Sequence, residues 1–127
     1  MAIHLKRVYD PPAPADGHRV LVDRVWPRGL TKEAACLDEW LEDLAPSSTL
    51  RAWFGHDPGR WDEFRARYTL ELEEPERQAQ LERLRRLAAD QRVCLLFGAR
   101  DREHNQAVVL GELLRRPDLR SSRLDRS

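Results

Sequence analysis

Two short stretches of this chain are apolar without alternation: Val20-Leu21-Val22 and RVCLLFGA, Arg92 to Ala99. A strand with one wet face alternates polar and apolar residues. A continuous aliphatic run therefore implies cover on both faces, the usual state of a strand inside a parallel α/β sheet. Parallel neighbours cannot be joined by a tight hairpin, so the chain between such strands has to travel, commonly through helices. These two runs constrain the fold more than any other feature.

The remaining segments read consistently with them. Ile3, Leu5 and Arg7-Val8-Tyr9 predict a first strand. DPPAPADG, Asp10 to Gly17, holds three prolines and a glycine, which excludes helix and central strand. Thr31 is placed to cap a short helix through Lys32 to Ala35, while Leu37 to Leu44 fits either a helical face or an edge strand. A short helix followed by a strand is the expectation there. Ser47 or Ser48 predicts a cap, Gly55 a left-handed stop, and Pro58 the start of a helix running to about Leu72. Pro75 opens a third helix, with Leu81, Leu84, Leu87 and Ala88 on one face. A last helix follows the dry strand, with Asp101 as its expected N-cap and Ala107, Leu110, Leu113 and Leu114 as its buried stripe. Strands alternating with amphipathic helices give an α/β fold, expected as a single-domain three-layer sandwich over residues 1–114, its small, mostly parallel sheet flanked by helices.

At 127 residues and zero formal net charge, no global field directs the chain to nucleic acid or to an anionic membrane. The charge is uneven, however. Residues 115–127 carry five arginines against Asp118 and Asp125, a basic tail of +3 that is expected to be disordered and solvated. Cys36 and Cys94 have neither metal-type spacing nor the arrangement of a disulfide framework. With no leader-like or membrane-spanning run, a cytoplasmic location is expected.

In parallel sheets ligands gather at the carboxyl ends of strands. That rule selects DRVWPRG, where Arg24 and Arg28 could grip a phosphate or carboxylate through forked guanidinium geometry. An Asp–Arg network closing the sheet end explains the same residues equally well. It also selects GARDREHN, where His104 could move a proton and Asn105 could orient a ligand, or both could serve only as helix caps. The third candidate is WFGHDPGRWDEFRARY, Trp53 to Tyr68. Much of it is punctuation: Gly55 stops one helix, Asp57 caps the next, and His56 and Trp61 have the spacing of a hydrophobic staple. The imidazole of His56 and the phenol of Tyr68 are not accounted for by punctuation. Zinc would require His56, Asp57 and His104 to converge without any characteristic spacing, so no metal site is assigned. No cofactor is indicated.

The words VDRVWPRGL, LDEWLEDLAPS, LRAWFGHDPGRWDEFRARY and DREHNQAVVL, in this order, resemble the YeaO-like branch of the domain of unknown function 488 family. The resemblance covers about Leu5 to Leu114 and implies a small bacterial cytosolic α/β domain; it brings no reaction with it. The wider family pattern ends its last strand in a Cys-Ala-Glu type segment and opens its last helix with Cys-His-Arg. Here those positions read Phe97-Gly98-Ala99 and Glu103-His104-Asn105. A thiol or metal mechanism is therefore not carried over, whereas His104, Arg24 and Arg28 are.

Two functions follow as expectations. The first is a domain that binds, or acts on, a small anionic molecule. In it Arg24, Arg28, His56, Asp57 and Asn105 hold the ligand, and His104 and Tyr68 supply chemistry. The alternative is a non-catalytic binding or regulatory module that contacts nucleic acid or protein through surface arginines.

Overall fold

The computed structural model describes residues 2–116; most of the expected basic tail, 117–127, lies outside the described residues. Four parallel strands, β1 (Ile3–Arg7), β2 (His18–Leu21), β3 (Glu39–Trp40) and β4 (Val93–Phe97), form one sheet in the order β1-β4-β2-β3. The two dry runs are its centre. Each residue of β4 is buried, and Val20 to Val22 show no exposure. Val20, Val22, Val93, Leu95 and Phe97 face the larger core, while Leu21, Cys94 and Leu96 face a smaller one. Continuous apolarity in sequence is thus two alternating sets of side chains, both covered.

The two faces are covered unequally. Helices α2 (Ser48–Phe54), α3 (Trp61–Glu71), α4 (Pro75–Asp90) and α5 (Gln106–Arg115) contribute to the larger core. The stripe Leu81, Leu84 and Ala88 of α4 and the stripe Ala107, Leu110 and Leu114 of α5 lie in it, as their periodicity predicts. Each fully buried leucine stabilises the fold by roughly 1.5–3 kcal/mol relative to exposure. The smaller face is closed by the single turn α1 (Lys32–Ala35), capped by Thr31 as expected, together with Trp26, Leu30 and Leu37. No helix among the described residues is long and apolar enough to cross a membrane.

Three local expectations are corrected. The short helix α1 is followed by a strand, as expected, but that strand is far shorter than Leu37–Leu44. Only Glu39 and Trp40 pair with β2, and a 3-10 turn at Glu42–Leu44 follows. The helix expected from Pro58 begins as a 3-10 turn, Pro58–Arg60, and becomes α-helical at Trp61. Asp101 does not cap α5. Its carboxylate is taken by the N–H groups of Glu103 and His104, and the chain becomes extended at Asn105, whose side chain accepts from Val108 N–H. Asn105 is the N-cap, so His104 lies one residue before it rather than in the first turn.

Candidate functional site

The polar groups at the carboxyl end of the sheet are assembled by three neighbouring segments. Asp23 follows β2 directly. Its Oδ2 accepts the backbone N–H of Gly98, just past β4, at 2.9 Å, and its Oδ1 accepts from the side-chain amide of Gln106 in the first turn of α5. One carboxylate thus ties two strand ends to a helix. Glycine leaves room for it: a Cβ at position 98 would stand 2.7 Å from Oδ2, which would have to shift. Burial pushes the Asp23 carboxyl up to about 6, against the lowering effects of these two hydrogen bonds and of the Arg51 charge.

The second segment is the approach to α2. Tyr68, fully buried on α3, donates its hydroxyl to the carbonyl of Leu44. Burial raises its phenol well above the usual tyrosine range. The Arg24 guanidinium donates through Nη2 to Ala45 O at 3.1 Å and through Nε to Pro46 O at 2.9 Å. Ser47 then caps α2 at Leu50 N–H, and its own N–H and hydroxyl are held by Glu71. Four side chains fix the angle at which α2 leaves the sheet.

α2 stops at Gly55, in the left-handed conformation at φ 53°, and His56 continues in it at φ 57°. Histidine is among the few residues with a side chain that are enriched there, which a leucine is not. Phe54, stacked on Phe64 at 4.3 Å, forms an apolar floor beneath this turn. The third segment is the turn before α5. There His104 Nδ1 lies 2.9 Å from Asp101 Oδ2, and the imidazole stands edge-on to Trp61 with ring centroids 5.2 Å apart. Trp61, expected to meet His56 in a staple, thus packs against His104. The carboxylate partner places the proton on Nδ1 and leaves Nε2 as an acceptor in the neutral ring.

These segments enclose a cavity of about 260 Å³ whose walls include Arg51, His56, His104 and Gln106 over Phe54 and Phe64. A smaller lobe of about 80 Å³ adjoins it, bounded by Asp23 and Arg24 and sharing Arg51, His56 and Gln106 with the larger space. The guanidinium of Arg51, exposed on α2, makes no hydrogen bond or ion pair among the described residues. No three His, Cys, Asp or Glu side chains among the described residues are close enough to hold a metal ion together.

Of the residues expected from sequence, His56, His104 and Asn105 line the larger space and Arg24 the smaller. Asn105 is buried and its amide also donates to Asp101 O, so its polar atoms serve the turn. Tyr68 and Arg24 grip backbone carbonyls, as described. Arg28 is exposed, and its carbonyl receives the Tyr9 hydroxyl; Asp57 is exposed, caps the 3-10 turn at Gly59 N–H and lies 3.6 Å from Arg60. Neither contributes to the cavity walls. Arg51 and Gln106 were missed. Gln106 adjoins a selected loop, but Arg51 carries no local signal, being one arginine on a short helix in an arginine-rich chain.

The family model described as the inactive DUF488-N3 subclade, DUF488-N3i, matches residues 2–125. YeaO of Escherichia coli (strain K12) is 42% identical over 115 residues, covering 91% of this chain and 98% of that protein. Mb3100c of Mycobacterium bovis and Rv3073c of Mycobacterium tuberculosis are each 41% identical over 112 residues, covering 88% of this chain and 92% of theirs. All three relatives are described as uncharacterised proteins. No solved structure gives a significant match.

Proposed function

The chain belongs to the family described as the inactive DUF488-N3 subclade, and on that premise we propose that it is a binding domain for a small anionic molecule, without turnover. The observation that carries this reading is Arg51. Many arginines of the fold are engaged, as Arg19 is by Asp16 and Arg83 by Glu39; Arg28, Arg86, Arg100 and Arg116 also have no side-chain partner among the described residues, but none of them borders this cavity. Arg51 instead stands at a cavity wall with no partner among the described residues, beside two imidazoles. A guanidinium in that position matches a carboxylate or phosphate, which it can meet with two parallel hydrogen bonds. The space is at the small end of ligand sites, which suits a metabolite of a few heavy atoms over an apolar floor.

Absence of turnover is supported by the groups around the cavity. Cys94 is buried in the sheet, Cys36 follows α1, and neither borders it. Tyr68 has its hydroxyl committed to a carbonyl. His104 has an orienting carboxylate but no cysteine or tyrosine beside it in the cavity wall, and the hydroxyl there, that of Ser48, makes no hydrogen bond to it.

Thermal unfolding in sodium phosphate or sodium acetate, against sodium chloride at equal ionic strength, tests the reading. A ligand at ten times its Kd stabilises the folded state by about 1.4 kcal/mol. The native chain is expected to gain stability in at least one of these anions, and Arg51→Gln to gain none. Equal gains in both proteins would contradict the assignment.

A further inference from the structure

The smaller lobe holds an acid that the binding reading does not use. Asp23 accepts two hydrogen bonds, both from neutral groups, the Gly98 N–H and the Gln106 amide. A carboxylate offers about four acceptor positions, so roughly half of its capacity is unused. Its neighbour in sequence does not neutralise it, because Arg24 is turned to the carbonyls of Ala45 and Pro46. Several carboxylates of this chain are treated differently, although Glu71 too accepts only from neutral donors, the N–H and hydroxyl of Ser47. Asp16 meets Lys6 and Arg19, Glu39 meets Arg83 and His18, and Asp10 meets Arg102. Asp23 makes no ion pair among the described residues. A desolvated charge without a counter-charge is costly, and a fold usually retains one where something else supplies the partner.

Arg51 is the opposite case in the same space. It borders both lobes, carries no partner among the described residues, and is near enough for its charge to act on Asp23. An unpaired cation and an unpaired anion therefore line one bilobed cavity, with His56 and Gln106 between them. A ligand carrying only an anion would satisfy Arg51 and be repelled by Asp23. One carrying only a cation would meet the reverse.

We infer that the cavity selects a zwitterion: a small molecule whose carboxylate or phosphate meets Arg51 while an ammonium group a few bonds away enters the smaller lobe against Asp23. This rests on the anion-binding reading above and names the ligand's second charge. The lobe, at about 80 Å³, has room for an ammonium and its first carbons. The lone pairs left open on Asp23 accept the ammonium protons. Gln106 stays on Asp23 and keeps the lobe open between the strand end and α5.

A matched series decides it. Binding to the native chain is measured by thermal shift or calorimetry at pH 7.5 for ω-amino acids from glycine to 6-aminohexanoate, for the alkanoates of the same lengths, and for the corresponding alkylamines. A charge-assisted hydrogen bond is worth enough to separate matched ligands by about tenfold. At least one ω-amino acid is expected to bind about tenfold more tightly than both its alkanoate and its alkylamine, and in Asp23→Asn the amino acid and the alkanoate should converge. Alkanoates that bind as well as the amino acids at every length would overturn this inference alone, as would an advantage that survives in Asp23→Asn. If no probe of any class binds and neither phosphate nor acetate stabilises the native chain, the anion-binding reading fails and takes the inference with it; if phosphate stabilises while no probe binds, the inference alone fails. The comparison on the native chain requires no variant, so it stands even if Asp23→Asn folds poorly.

Discussion

Arg24 and Tyr68 hold consecutive carbonyls of one loop: the phenol donates to Leu44, and the guanidinium donates to Ala45 and Pro46. Both residues look chemical in the sequence, and both act here on backbone. Loop carbonyls removed from water have to be paired, and this loop has no strand partner to pair them. The contact also sets a wall of the cavity, since Pro46 borders both lobes.

Removing either donor should therefore cost stability more than ligand affinity. Tyr68→Phe leaves the Leu44 carbonyl buried without its donor, at about 1–3 kcal/mol. Arg24→Ala removes two charge-assisted bonds and should cost about as much or more. Chemical denaturation of the single and double variants checks this, and the pair should be non-additive because both act on one loop. A Tyr68→Phe protein of native stability would contradict the structural role given to the phenol.

Asp23 gives a pH signature. Its folded-state carboxyl stands at about 6, above the ordinary aspartate value of 3.8. Its contribution to stability is thus fully present below the ordinary value and is lost as pH rises through about 6. Asparagine does not titrate. The stability of Asp23→Asn relative to the native chain should rise between pH 4 and pH 7.5, by up to about 3 kcal/mol. The groups that act on the carboxyl (Gly98 N–H, Gln106 and Arg51) are already contained in its value of about 6, and His56 borders the same lobe. Parallel stability profiles would show that the carboxyl is not displaced.

The two left-handed residues that end α2 separate a backbone effect from a side-chain effect. Alanine at position 56 keeps the strain of φ 57° and glycine relieves it. His56→Gly should be more stable than His56→Ala by about 1 kcal/mol, a difference of a few degrees in Tm. Both should bind the cavity ligand less well than the native chain. Equal Tm values for the two variants would contradict the backbone assignment.

Much of the fold was legible because its signals are local. The dry runs became the central strands, Ser47, Asp57 and Thr31 cap as their positions suggest, and Gly55 turns left-handed. The extent of the strand within Leu37 to Leu44 was not legible, because its pairing is decided by β2 and by side chains from distant helices rather than by its own pattern. The site was legible only in outline. The rule of strand ends led to the edge where the cavity lies, and His56 and His104, chosen for their side chains, line it. Arg24 and Tyr68 were chosen on the same grounds, yet nothing in sequence reveals that three carbonyls lie within their reach. Arg51 was invisible for the converse reason: what distinguishes it is an unpartnered guanidinium at the cavity wall, a property of the fold.

The most direct measurement of the central claim is an amide chemical-shift titration of the native chain with sodium phosphate, and separately with 6-aminohexanoate, at fixed ionic strength. The account predicts saturable shifts grouped at Arg51, His56, Gly98, Ala99 and Gln106, lost in Arg51→Gln. Shifts confined to residues 117–127, or none that saturate, would contradict it.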